Sequence, residues 1–429
     1  MVAITVSDPR IEDPDTRHSF TSYLVTTKQG NSVRRRYSDF RWLYQRLHTE
    51  VPGSIIPIIP HTRTLMSNKK FNIEFIEERR RDLQEFLHGV AIHSELCRAP
   101  SMTPFMLYPL GEDFDNAKKK MEQTTPTSVD VFKMAEDGSA LEAGKAATVA
   151  RQGISSFFAK MRLSAGSQEL LTAQVESQVI ALNVYITEVS VQVKALAKAS
   201  DSLLKSTLSS ADAHHEIGVP IGFWRTSYMQ QNEAQDEDVI SMMAGICKFS
   251  DEIASLLRKK YKEEEFLFGH NIQKLANYVS AFELAMSQRK KRQISYTHSH
   301  NSMIEKNAAL EKAQKNLKPP EVTDKLNNER VELEKKIEEE KNRFDEVTNR
   351  LLRDAETHKP KLLKMLQDSF LMFAKAQISY TTRITEAFQH MVPLLEDSGS
   401  DGGDKSEDSS PPPPPSAPPP PPPEESDKN

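Results

Sequence analysis

Three long stretches of this chain keep apolar residues at alternating spacings of three and four, and that period restricts more than half of the sequence to long amphipathic helices. The first runs through Leu171, Val175, Leu182, Ile186, Val189, Val193, Leu196 and Leu203, and ends in a break holding Pro220 and Gly222. The second runs through Ile253, Leu257, Phe268, Ile272, Leu275, Val279, Phe282 and Met286, and Pro319-Pro320 stops it. The third starts near Asp324, with a seam of Leu363, Leu366, Phe370, Phe373, Gln377, Tyr380, Ile384, Ala387 and Met391. Such helices extend on the order of 100 Å at about 1.5 Å per residue. Residues 167–395 are therefore expected to pack as a three-helix antiparallel coiled-coil bundle. A single bundle of that length has a thin core, so a dimer that buries a continuous seam is expected.

Before the helices the period changes. Ala3 to Val6, Tyr23 to Thr27 and Val33 to Tyr37 are short β-rich runs, with a turn near Gly30-Asn31, which suits a small antiparallel sheet. Ser38 is placed to cap a helix whose apolar side is Phe40, Leu43, Tyr44 and Leu47. A second helix from about Ile73 would bury Phe75, Ile76, the Arg79 stem, Leu83, Phe86, Leu87 and Val90. The N-terminal part is thus an α+β module over residues 1–110. Gly111 to about Gly144 is polar and aperiodic and reads as a linker, 111–145.

The strand-to-helix junction holds Arg34-Arg35-Arg36-Tyr37, within a span from Lys28 to Arg46 that carries six bases against Asp39 alone. Guanidinium forks suit phosphate oxygens, and a ring can stack on a sugar or inositol. Strand alternation puts Arg34 and Arg36 on one face and Arg35 on the other, so at most two serve one pocket. A solvated basic edge strand remains the competing reading.

The run Arg35-Arg36-Tyr37-Ser38-Asp39-Phe40 resembles the R-R-[YF]-x-[DE]-F signature of the phox-homology (PX) domain. Pro57-Ile58-Ile59-Pro60 resembles the proline-rich loop of that domain, and Ile76-Glu77-Glu78-Arg79-Arg80 its second signature, in family order and spacing. The resemblance implies a reader of phosphatidylinositol 3-phosphate in which Arg36 pairs with the 3-phosphate, Tyr37 supports the inositol ring and Arg79 holds inositol hydroxyls. Arg34 is a same-face support. Where the family usually has a lysine for the 1-phosphate this chain has Thr62, with Arg63 beside it as a substitute. Leu65 and Met66 of the same loop are candidates to dip into lipid.

A long helical bundle after a PX domain is similar to the BAR domain of one group of sorting nexins. That resemblance implies a homodimer or a heterodimer with another BAR-containing sorting nexin, and a peripheral protein of early endosomes acting in curvature-linked cargo sorting. A retromer-like complex is an expected partner. Residues 146–165 hold Ile154, Phe157, Phe158 and Met161 at helical spacing beside Arg151, Lys160 and Arg162. This stripe is either a membrane-inserting amphipathic helix or the first packed turns of the bundle. Arg289-Lys290-Lys291-Arg292 is a candidate membrane-facing basic cluster, and nucleic acid is not expected because no aromatics interleave it.

Residues 396–429 carry nine acids and two bases and then eleven prolines between Pro411 and Pro423, so the net charge of −5 hides a slightly basic body. The tail is expected to be disordered, with polyproline stretches that act as a spacer or dock a profilin-like or SH3 partner. An alternative function follows, a membrane-targeted coiled-coil scaffold recruiting actin machinery through that tail. Cys97 and Cys247 lack the spacing of a disulfide framework or a metal site, which points to a reducing, cytoplasmic compartment. The N-terminus has no secretory signal pattern, and no uninterrupted apolar run reaches bilayer length. No nucleophile elbow, phosphate loop or metal-ligand spacing is found, so no cofactor, metal or enzymatic activity is expected.

Overall fold

A computed structural model describes residues 4–13, 19–59, 73–125, 173–231, 237–316 and 319–396. The N-terminal module opens with three antiparallel strands, β1 (Ile4–Glu12), β2 (Phe20–Thr27) and β3 (Ser32–Arg36), in spatial order β1-β2-β3. The β2–β3 connection turns at Gly30, whose φ of +89° is a left-handed value that glycine adopts freely. β1 is interrupted between Ser7 and Arg10, where Asp8 also has a positive φ and the register shifts.

Helix α1 (Tyr37–Glu50) starts directly from β3. Its N-cap is Arg36 rather than the expected Ser38, and the Asp39 carboxylate accepts the Arg36 backbone N–H at 3.0 Å. α2 (Ile73–Ile92) and α3 (Met102–Leu107) complete a core in which Val6, Tyr23, Val25, Phe40, Leu43, Leu47, Leu83, Phe86, Leu87 and Phe105 are buried. The stretch expected to begin the linker instead forms a further helix, α4 (Glu112–Thr124), with Phe114 fully buried in the same core.

Among the described residues the long helices that follow are α5 (Ala173–Gln231), α6 (Glu237–Glu264), α7 (His270–Lys315) and α8 (Pro320–Glu396), with a π-helical turn at Glu265–Gly269 between α6 and α7. Pro320 occupies the first helical position of α8, where its missing N–H costs nothing. Pro220 and Gly222 lie inside α5, not in a break. Pro220 is solvent-exposed, so the carbonyl it leaves unpaired within the helix can be hydrated.

The described residues fall into two compact units, those within 4–208 together with 259–378, and those within 209–258 together with 379–396. In the first, antiparallel register is fixed by Arg289 against Glu176 on α5 and Thr348 on α8, by Lys306–Glu329, and by Phe268 against Phe370 and Phe373. Its helical core gathers Leu182, Ile186, Val193, Leu275, Val279, Phe282, Leu351, Ala355 and Leu362, and takes in Ile55 from the N-terminal module. On α8 the expected seam is kept in part, with Tyr380 and Ala387 buried and Leu366, Phe373, Gln377, Ile384 and Met391 half-buried. Leu362, Ser369 and Ala376 are buried at heptad spacing, whereas Leu363 and Phe370 are exposed.

In the second unit Ala211, Ile253, Leu256, Leu257 and Ala387 cluster with Phe249 and Ile384, and Arg258–Asp212 and His215–Asp251 pair across its helices. The segment Gln174–Gln231 of α5 is long and apolar enough to cross a membrane, with a window of mean hydropathy 1.3 of which 28% is buried within the chain. That exceeds the sequence expectation, because an average tolerates the serines and glutamines that break every uninterrupted apolar run. Leu182, Ile186 and Val193 on that helix belong to the bundle core.

Candidate functional site

The three arginines of β3 divide as strand alternation requires, and each has a different role. Arg34 turns to the β1 irregularity. Its guanidinium donates to the Asp8 carbonyl at 3.0 and 3.2 Å, to Asp8 Oδ2 at 2.7 Å and to Ser22 Oγ at 3.2 Å. Arg35 points into the protein and is completely buried. It donates to the carbonyls of Phe105 (2.9 Å), Pro104 (3.0 Å), Tyr108 (2.5 Å) and Arg34 (2.7 Å), and lies 4.0 Å from the Phe114 ring centroid. Burial pulls its pKa down to about 10, so it stays charged at neutral pH.

Arg36 faces out, with its side chain 43% exposed. Its Nε is 3.7 Å from Asp39 Oδ1 and makes no hydrogen bond among the described residues, and the guanidinium carbon is 5.8 Å from the Phe20 ring. On α2, Arg79 is held between two aromatic faces, 4.5 Å from the Tyr37 centroid and 4.3 Å from that of Phe75. This explains why Phe75 is half-buried rather than a core residue. Tyr23 lies beneath, and burial pushes its hydroxyl up to about 12 although the Arg79 charge acts the other way. Arg79 Nη2 and the Tyr23 hydroxyl are both buried and adjacent, and neither makes a well-formed hydrogen bond among the described residues. A buried donor left without a well-formed hydrogen bond costs up to about 1–3 kcal/mol, which a better-placed ligand oxygen would offset.

The structure thus brings Arg36, Tyr37 and Arg79 to neighbouring positions at the junction of β3, α1 and α2. Arg34 is on the same face but is engaged with Asp8. Thr62, Arg63, Leu65 and Met66 fall outside the described residues, as do Ile154, Phe157, Phe158, Met161 and the acidic and proline-rich tail.

The proposed basic cluster on α7 divides. Arg289 is buried, donating from Nε to Thr348 Oγ1 at 2.9 Å and from Nη2 to Glu176, with its guanidinium 4.7 Å from the Phe344 ring. It is therefore not membrane-facing, because a four-residue run on a helix covers every face and Arg289 falls on the packed one. Lys290 and Lys291 are exposed and Arg292 is half-buried.

Sequence reasoning missed Lys118 of α4. Its ammonium contacts Asp39 Oδ1 and Asp115 Oδ1, both at 2.9 Å, directly behind Arg36. The available signal was a helix start, Gly111 followed by Glu112, Asp113 and Asp115 in the first turn.

The N-terminal module also grips the helices. His270 bridges Glu78 and Asp82 of α2, and Lys274 contacts Asp82 at 2.8 Å and Glu85 at 3.0 Å. Burial opposes the charge on His270, but the two carboxylates outweigh it and raise its pKa to about 9. Glu78, Asp82 and His270 are close enough to hold a metal ion, but the cavity they line also contains Lys274 and Arg81, and the cluster is balanced as ion pairs. On the other side, Asp354 accepts from the Ile55 N–H at 3.1 Å and contacts His93 at 3.0 Å, and Arg350 reaches Glu95 at 2.6 Å.

A family model of the PX domain matches residues 23–109. Sorting nexin-4 of Gibberella zeae is 32% identical over 115 residues, covering 24% of this chain and 25% of that protein. Vacuolar protein sorting-associated protein vps5 of Schizosaccharomyces pombe is 24% identical over 324 residues, covering 73% of this chain and 51% of vps5. Among solved structures, the SNX-BAR Mvp1 tetramer seen by cryo-EM matches with a TM-score of 0.61 at 14% identity, over 91% of this chain and 100% of that one, a likeness of fold. The chain spans about a quarter of the length of the Sorting nexin-4 relatives and about half that of vps5.

Proposed function

We propose that this chain, a sorting nexin of the PX-BAR type, is a peripheral endosomal membrane protein that reads phosphatidylinositol 3-phosphate and couples it to membrane curvature during cargo sorting. One observation carries the reading. An outward-facing guanidinium at Arg36 stands beside a second, Arg79, fixed between two rings with its buried Nη2 against the Tyr23 hydroxyl and without a well-formed hydrogen bond among the described residues. Phosphate oxygens on one side of an inositol ring and hydroxyls on the other match that pair of forks.

The long helices then supply valency. Phe223 and Trp224 in the second unit are 73% and 64% exposed, and Phe388, Val392 and Leu394 of the same unit are also exposed. A surface this apolar on a long helical unit supports burial against a second BAR-type chain, identical or related. Two headgroup sites on one dimer can raise avidity by ~10²–10⁴ over one site. Lys290 and Lys291 add attraction to anionic lipid, at about 1 kcal/mol per charge near the surface. Residence on early endosomes and a retromer-like assembly are part of this proposal, supported by the vacuolar sorting role in the name of vps5.

Co-sedimentation with liposomes, with and without phosphatidylinositol 3-phosphate, tests the reading. Binding should require the lipid and be lost in Arg36→Ala, and electron microscopy should show tubules of uniform width. Unchanged binding by Arg36→Ala would overturn the headgroup assignment.

A further inference from the structure

We infer that Lys118, on a helix beyond the residues matched by the PX family model, is a positioning residue that keeps Arg36 available to a phosphate. This rests on the reading of Arg36 as the headgroup ligand.

The geometry centres on Asp39, whose side chain is 1% exposed. Its Oδ2 caps α1 by accepting the Arg36 N–H at 3.0 Å. Its Oδ1 is shared, with Lys118 Nζ at 2.9 Å and Arg36 Nε at 3.7 Å. Lys118 therefore holds the closer, hydrogen-bonded contact, and Arg36 is left at ion-pair distance with its Nε unbonded.

Lys118 is itself well fixed. It is 17% exposed, pairs with Asp115 at 2.9 Å, and rests 4.2 Å from the Phe114 ring. Phe114 is buried beneath Arg35, edge-on to Trp42 at 5.4 Å, so α4 is anchored by the same aromatic that stacks on the structural arginine.

A carboxylate removed from water needs a cationic partner. If Lys118 were absent, Arg36 would be the nearest cation, and Asp39 would draw its guanidinium into a hydrogen-bonded pair. An arginine clamped to an internal carboxylate must break that pair to bind phosphate. By taking Oδ1, Lys118 lets Asp39 cap the helix without sequestering the ligand arginine.

The test uses the full chain on vesicles with and without phosphatidylinositol 3-phosphate. Lys118→Met should weaken lipid-dependent binding by about five- to tenfold, the cost of freeing Arg36 from a partly solvated pair with Asp39 before it can take a phosphate. Lys118→Arg should restore it. Asp39→Asn retains the carbonyl oxygen that caps α1 and removes the charge, so Lys118→Met in that background should lie within twofold of Asp39→Asn alone. Wild-type affinity in Lys118→Met, alongside lost binding in Arg36→Ala, overturns this inference and leaves the headgroup reading standing. A Lys118→Met effect that persists in the Asp39→Asn background also overturns it, since the lysine would then act without Asp39. Retained binding in Arg36→Ala instead overturns the headgroup reading itself.

Discussion

Arg35 and Arg36 are adjacent in sequence, and the structure gives them opposite roles that stability and binding can separate. Replacing Arg35 with methionine keeps much of the apolar stem but removes donors to the carbonyls of Arg34, Pro104, Phe105 and Tyr108. A hydrogen bond from a charged group contributes about 1.5–3 kcal/mol, and four would sum well above what is measured, because relief of the buried charge offsets part of the loss. Breaking a buried charged network on one side costs about 3–5 kcal/mol, a large share of a domain stability of about 5–15 kcal/mol. At a urea m value of about 1–3 kcal/mol per molar, the midpoint should fall by at least about 1 M. Trp42, edge-on to Phe114 at 5.4 Å, reports this packing by fluorescence once Trp224, the other of the two tryptophans, is changed to phenylalanine. Arg36→Ala should leave the unfolding free energy within about 0.5 kcal/mol of wild type while abolishing lipid binding. An Arg35→Met chain that melts normally yet fails to bind phosphoinositide would reverse the two assignments and refute the strand register.

Arg79→Lys keeps the charge but loses the planar fork and both ring faces, so phosphoinositide binding should drop about tenfold with the fold intact in circular dichroism; equal binding would dismiss the stacked geometry. His270 has a folded pKa of about 9, above its ordinary value, so the stability it contributes is fully present below about pH 6.5 and is lost as pH rises through about 9. Urea melts at pH 6 and 9.5 should therefore differ by a few kcal/mol in the wild type and by much less in His270→Gln. Arg289→Ala should destabilise the helices by about 3–5 kcal/mol by stranding Glu176, whereas Lys290→Ala should leave melting unchanged and weaken binding to anionic vesicles.

What the sequence disclosed depended on whether a local period carried the information. The alternation of β3 separates Arg35 from its neighbours without any knowledge of the fold, and Phe86, Leu87 and Val90 mark the buried side of α2 by spacing alone. Phe114 is a single aromatic in a polar window, and its partner is Arg35, some 80 residues earlier in the chain, so α4 had no periodic signal. Arg289 was obscured by its charged neighbours. It lies three residues after Met286 and seven after Phe282, on the packed side of its helix, where a charge run reads as solvated. Leu362 and Leu363 on α8 are equally apolar, and only the facing helices choose Leu362 for the core, whereas Tyr380 and Ala387 further along the same seam were legible by spacing. The fork at Arg36 and Arg79 depends on residues more than 40 positions apart, which a motif resemblance supplies and spacing alone does not.

Ile55 belongs by sequence to the N-terminal module, yet its side chain is fully buried in the helical core, and its backbone N–H is held by Asp354. Two residues earlier, Gly53 has a φ of +87°, donates its N–H to Gln288 at 2.7 Å, and passes so near Val347 that a Cβ would lie 2.7 Å from the Val347 carbonyl oxygen. Chimeras that exchange the first 125 residues with those of a relative would therefore inherit a mismatched joint unless Gln288, Val347 and Asp354 travel with them. Substitutions on either side of that joint should be constrained as a pair, so the heritable unit of this protein is wider than the segment that contacts lipid.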